Sequence, residues 1–379
     1  MTSQGSRVSS QDRISQSDSL FLDRLRGLSI LRVMLVHLGL SWFFTPYSQF
    51  VHMFLPLLFF VAGAVSFYSF KRAPSLGNYS LRRLLSVVMP YYVIVIAAFI
   101  FIWLIELRVP QFHGREILDW LFIDPERDHM PFPMGQVWFI HAMAIMVVVS
   151  LPVFAVSRKL PWPLLLGTFC SVLLTVVHQI FDVSHYFYLL DHNFYQALSN
   201  ISFFFFGAFF FCLKEFFTAK VNFLFLSFCL FLLIFSILVI DVDINMAKHS
   251  YAPTFYYVSG GFFSIFLVVT LKSFITKILN NNALLNKFVI FLSDNAYAIF
   301  MIHSLIIMLS EKYLNLVDVA GRPIFAIAKI IIVVFVSCLI SAPITRACKL
   351  IVKNIQDFIF SLKSSFVKSN IFNESSTPD

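Results

Sequence analysis

An arginine and a histidine stand eleven residues apart in the first strongly apolar stretch of the chain, Arg26–Gly27–Leu28–Ser29–Ile30–Leu31–Arg32–Val33–Met34–Leu35–Val36–His37. Eleven residues is close to three turns at about 3.6 residues per turn. On a helix both side chains therefore share one face, roughly 16 Å apart along the axis. A guanidinium at one end of a path can hold phosphate. An imidazole at the other can take a proton near neutral pH. That pairing suits acyl transfer. Arg26 alone fits equally a positive anchor at a membrane edge. His37 is harder to read as incidental, because an ionisable group inside a membrane usually faces a cavity or a partner. Arg32 lies about 240° around the helix from Arg26. Its expected role is to pair with a carbonyl or an acid of another helix.

Further residues of the same chemical types follow. His52 opens Val51–His52–Met53–Phe54–Leu55–Pro56, with Gly63 placed to let helices approach closely. It reads as a site histidine or as an interfacial structural one. Arg82 and Arg83 begin an apolar run, where they serve phosphate binding or simple topology. Trp138 and His141 share Val137–Trp138–Phe139–Ile140–His141, and Trp138 fits an interfacial aromatic belt. Tyr297 and His303 lie six residues apart, on different faces of one helix. The chain holds no G-x-S-x-G, P-loop, H-E-x-x-H or dinucleotide glycine pattern, which argues against a hydrolase, an ATPase or a metalloprotease.

The elements that position these residues follow from composition. Of 379 residues, 59% are hydrophobic and 13% charged, and mean hydropathy is +0.83. That is too little polar surface for a soluble particle, so the bilayer must be the solvent. Phe contributes 48 residues, suited to lipid-facing and interhelical packing. Five cysteines without paired spacing indicate neither a disulfide framework nor a zinc site, and no metal site is expected. Runs of about 20 apolar residues predict an all-α polytopic membrane protein of about ten transmembrane helices. They fall near 25–44, 50–70, 85–107, 136–157, 162–181, 194–213, 221–240, 254–272, 287–310 and 323–345. Residues 1–19 read as a disordered cytoplasmic tail, 20–350 as the membrane domain and 351–379 as a cytoplasmic C-terminal tail. The segment 108–135 reads as a surface loop with a short interfacial helix, or as a lid over an acceptor site.

Charge sets the expected orientation. With both termini cytoplasmic, 20 Lys and Arg fall on that side and seven on the other, Arg32 being inside a helix. The net charge of +8 is spread over short loops with no basic domain, so nucleic acid is not an expected partner.

Taken in order, these segments resemble the acyltransferase-3 family of integral membrane acyltransferases, over about Leu22 to Thr345. Arg26 and His37 match that family's arginine, ten residues and histidine. H-M-F-L-P-L-L-F-F-V-A-G, L-R-R-L-L-S-V-V-M-P-Y-Y, V-W-F-I and D-N-A-Y-A-I-F-M-I-H resemble its later motifs. Two departures stand out. The second arginine of an Arg-x-x-Arg falls on Ser86, leaving Arg82 to substitute, and Ala62 replaces a serine. The resemblance implies transfer of an acyl group, often acetyl from acetyl-CoA as co-substrate, to a hydroxyl of a glycan or lipid-linked sugar. No bound cofactor is expected. Arg26, Arg82 and Arg83 would hold the CoA phosphates, and His37 would act as general base or transient acyl carrier. His52, Trp138, Tyr297 and His303 would contact substrate. The expected setting is a bacterial inner membrane, with membrane lipids as neighbours.

Two other classes fit parts of the sequence. A polysaccharide exporter without covalent chemistry is compatible with ten helices and buried charges, but two halves of Gly/Pro-broken segments are missing. A polymerase-like glycosyltransferase would need catalytic acids in a large outer loop, where only Asp124 and Asp128 offer themselves.

Overall fold

The computed structural model describes residues 14–38, 47–107, 120–123, 137–189, 192–316 and 322–374. The fold is all-α apart from a two-residue antiparallel pairing of Tyr188–Leu189 with His192–Asn193. Twelve helices follow in order among the described residues: α1 Gln16–His37, α2 Pro56–Arg72, α3 Leu76–Glu106, α4 Val137–Val156, α5 Trp162–Phe181 and α6 Tyr195–Cys212. Then come α7 Ala219–Leu238, α8 Phe255–Thr270, α9 Lys272–Asn281, α10 Ala283–Asp294, α11 Ala296–Leu314 and α12 Pro323–Glu374. Two short 3₁₀ segments, Tyr47–Phe54 and Val183–Phe187, precede α2 and the two-residue pairing.

Eight of the described helices are long and apolar enough to cross a membrane, or nine if α8 and α9, bent by 57°, form one span. With α1 these account for the ten predicted runs. α1 differs because Asp23, Arg24, Arg26 and Arg32 fall in its apolar stretch. Two boundaries move. The predicted 287–310 span is two helices, broken at Asn295, whose backbone leaves helical geometry at ψ 14°. The predicted 25–44 helix ends at His37, where the Leu38 N–H closes back on the Met34 and Val36 carbonyls. Gly39, a poor helix residue, follows in sequence. His37 is thus the last helical residue of α1 and not an interior one. α1 also begins at Gln16, with Ser15 capping the Asp18 N–H, inside the stretch read as a tail. α12 runs to Glu374, well past residue 350. The predicted 108–135 segment lies outside the described residues except Trp120–Ile123.

α6 forms the centre. Its Phe203, Phe204, Phe205 and Phe206 are all buried, whereas Phe223, Phe228 and Phe231 of α7 point outward, as a lipid solvent permits. α2 packs on α6 at backbone distance. A Cβ on Gly63 would come within 1.8 Å of the Phe204 carbonyl, and one on Gly207 within 2.0 Å of the Phe60 carbonyl. Only glycine fits at either position. Gly27 does the same for α1 against Val289 of α10.

Charged residues gather at one end of the bundle. Arg158 at the end of α4 reaches the Lys71 and Ala73 carbonyls after α2. Asp18 of α1 lies between Lys272 at 2.8 Å and Lys214 at 3.0 Å. Arg24, 2% exposed, ties α1 to Asn280 of α9 and Asn286 of α10. At the opposite end Lys329 pairs with Glu311 and Lys312 with Glu106.

Candidate active site

α1 and the α10–α11 pair run side by side in the same direction, and this register builds the site. Arg26 Nε donates to Ser293 Oγ at 2.9 Å and to the Ser293 carbonyl at 3.2 Å. That carbonyl lies at the helix break before Asn295, whose N–H also turns back to it. Arg26 Nη2 also bonds Asp23 at 2.8 Å. Eleven residues beyond Arg26, His37 Nδ1 meets His303 Nε2 at 2.6 Å, ten residues beyond Ser293. The two imidazoles are stacked, with centroids 4.9 Å apart.

Hydrogen-bond logic fixes the protons of this pair. His303 Nδ1 lies 3.1 Å from the Ile299 carbonyl, which can only accept. In neutral His303 the proton is therefore on Nδ1, and Nε2 is an acceptor. His37 must then donate from Nδ1, so the lone pair of neutral His37 is on Nε2. His303 is fully buried, while His37 is exposed on one side.

A cavity of about 170 Å³ lies between the Arg26 end and this pair. It is lined by Arg26, Arg83 and Tyr297 at one end and by Phe139, Met143 and Phe300 further in. Phe139 and Phe300 pack at 5.0 Å, and Phe300 lies 6.2 Å from the His303 ring. These two rings separate the cavity from the histidines. A second cavity, about 460 Å³, opens beside it and is lined by Arg72, Arg82, Arg83, Tyr79, Ser69 and Ser86. Arg83 borders both. Its Nε is buried without a hydrogen-bond partner. A buried guanidinium nitrogen left unmatched is costly unless an anion satisfies it.

The predicted residues fall into three groups. Arg26, Arg82, Arg83 and Tyr297 line the two neighbouring cavities, which share Arg83; Tyr297 Oη also donates to the Val87 carbonyl at 2.7 Å. His37 and His303 form the pair, and Trp138 packs on Phe59 and Phe139, one ring removed from Phe300. His52 stands beside Arg32, which faces another side of α1 and donates from Nε to the Val51 carbonyl at 2.9 Å. Arg32 thus meets a carbonyl of a neighbouring element, as expected of it. His141 lies against Phe194. Sequence reading missed Arg72 as a site residue. The signal was the three-residue link between α2 and α3, which forces Arg72 next to Arg82 and Arg83. Ser86, where the second arginine of the motif would fall, bonds the Arg83 carbonyl within its own helix. Arg72 and Arg82 supply charge in its place.

A family model described as an acyltransferase domain, that of the acyltransferase-3 family, matches residues 19–342. The chain belongs to the acyltransferase-3 family. Within it, this acyltransferase is a multi-pass membrane protein, and the match takes in every residue of the cavities and histidine pair described above. No curated protein and no solved structure matches the chain.

Proposed function

We propose that this acyltransferase moves an acetyl group from acetyl-CoA to a hydroxyl of an envelope or exported glycan, in a bacterial inner membrane with the arginine end facing the cytoplasm. The observation that carries the reading is the His37–His303 pair with its protons fixed by the Ile299 carbonyl. It stands behind Phe139 and Phe300, the rings that close the inner end of a cavity whose mouth holds arginines. The donor's phosphates fit the Arg72–Arg82–Arg83 cavity, where the buried Arg83 Nε lacks a partner. The pantetheine arm then passes Arg26 and Tyr297 toward Phe139 and Phe300. For the thioester to reach His37 the two rings must part, so they act as a gate between donor cavity and acceptor side.

At the histidines the roles divide. His37 Nε2 removes the proton from the acceptor hydroxyl, and its oxygen attacks the thioester carbonyl. The C–S bond breaks, and the leaving CoA sulfur takes the proton back from His37. His303 is a positioning residue: it holds the Nδ1–H tautomer of His37 and faces it with a lone pair as charge develops.

The test uses purified protein with isotope-labelled acetyl-CoA and an acceptor glycan, read by mass spectrometry. Acetylated glycan should form with wild type and be lost with His37→Ala. Transfer undiminished in that variant would sink the mechanism. Envelope glycans of a deletion strain should be lighter by one acetyl group per modified sugar. An unchanged glycan mass with impaired polymer export would instead favour a transporter.

A further inference from the structure

A further cavity opens beside the donor cavities; it shares Tyr297 and Ser86 with them, but no arginine or histidine lines it. Between α3, α11 and α12, at the charged end, lies a cavity of about 300 Å³. Lys349, Lys353 and Gln356 of α12 edge it, with Asp294 and Ser86 opposite and Pro90, Ile94 and Val352 forming its floor. Lys349 and Lys353 are one helical turn apart, on one face and exposed. Deeper in the bundle a further cavity of about 360 Å³ continues it. Ile94 lines both, and Ile344 of the deeper one adjoins Thr345 of the first. The deeper section is wholly apolar, lined by residues such as Ala98, Phe101, Ile302, Ile306 and Ile340. Thr345 Oγ1 is buried at the junction without a hydrogen-bond partner.

We infer that these two adjoining cavities, which share Ile94, together bind one anionic phospholipid of the leaflet at the charged end. The two lysines match an anionic headgroup, and their attraction outweighs the single carboxylate of Asp294. Thr345 Oγ1 meets the glycerol-ester region. The apolar section takes an acyl chain, which water would not wet and a polar substrate would not fill. Ile302 and Ile306 flank His303 on α11, so a chain in the groove braces the helix that carries it. Coenzyme A would fit this groove poorly, because its inner half offers no polar group.

Native mass spectrometry of the full chain in mild detergent tests the proposal, with added phosphatidylglycerol or phosphatidylcholine of identical acyl chains. One phosphatidylglycerol should be retained per protein, about tenfold more than phosphatidylcholine. Lys349→Glu with Lys353→Glu should erase that preference. Lys277→Glu with Lys287→Glu, on α9 and α10 away from the groove, should keep it. Ala98→Trp, filling the apolar section, should lower retention of both lipids. Equal retention of the two lipids by wild type would overturn the proposal. So would a preference that survives the 349/353 double variant, or displacement of the lipid by acetyl-CoA. Should the double variant fail to fold, the wild-type comparison and Ala98→Trp still decide. The measurement involves no acyl transfer, so it stands or falls apart from the catalytic reading.

Discussion

In the proposed mechanism His37 and His303 divide one task, and kinetics should separate their shares. His37→Ala removes the base itself and should lower kcat by about 10²–10⁴-fold. His303→Ala leaves the base but frees its ring and tautomer; kcat should fall by less, with KM for acetyl-CoA unchanged, because His303 stands behind Phe300 from the donor cavity. A rise in donor KM without a fall in kcat would contradict this division. Arg83→Gln should act in the opposite sense. It removes a buried charged donor from the arginine cavity and should raise KM for acetyl-CoA by about 10- to 100-fold, with kcat little changed. Steady-state kinetics on the three variants, checked for folding by size exclusion, reads all three outcomes. Asp18 provides a pH test of stability. Burial alone would raise its carboxyl, but hydrogen bonds from Lys272, Ser15 and Lys214 prevail and bring it to about 2, below its ordinary 3.8. A lowered carboxylate contributes stability above about pH 4 and loses it as pH falls toward 2. Asp18→Asn should therefore lower thermal stability at pH 7 by about 1–2 kcal/mol, the lysines being part-exposed. The gap from wild type should close as the assay is acidified; a gap constant with pH would rule out the ion pairs as its cause.

At the scale of elements, the site depends on α1 holding a fixed register beside α10 and α11. Arg24 and Asp18 anchor its charged end, and Gly27 brings its backbone onto Val289. α2 is held against α6 by Gly63 and Gly207 in the same way. Gly63→Ala would place a methyl inside the Phe204 carbonyl, so the helices must separate. The expected loss is about 1–3 kcal/mol or more, read as a lowered Tm in detergent; wild-type Tm would mean that these helices are not in backbone contact. These elements also show what the sequence makes legible. Arg26 and His37 could be placed on one face because helix period acts locally, and the apolar runs located the membrane-length stretches, though not every break that divides the described residues into twelve helices. The His37–His303 contact spans 266 residues, and nothing local to either histidine encodes it. The break at Asn295 had a signal in the polar triplet Ser293–Asp294–Asn295, which was absorbed into one span because apolar residues flank it on both sides. Arg72 looked like a topology signal, since a basic residue at a helix end serves that purpose whether or not it also lines a cavity.

The proposed reaction poses a vectorial problem for the whole molecule, because in it donor and acceptor approach the histidines from different ends. The arginine cavities open at the end where Asp18, Lys214 and Lys272 gather, while His37 closes α1 further along the bundle. Acetyl-CoA is a cytoplasmic, multiply charged donor that does not cross a bilayer unaided, so the reading requires the arginine end inside. The excess of Lys and Arg on that side agrees with it. Cysteine labelling in intact cells tests the orientation directly. In a background with the five native cysteines replaced, Lys159→Cys marks the arginine end, beside Arg158, and Asp241→Cys marks the far end, beyond α7. A membrane-impermeant maleimide should label position 241 in whole cells and position 159 only after the membrane is opened. The reverse pattern would put Arg72, Arg82 and Arg83 outside, where no acyl-CoA reaches them. That result would end the donor assignment while leaving the helix packing and the histidine pair as they stand.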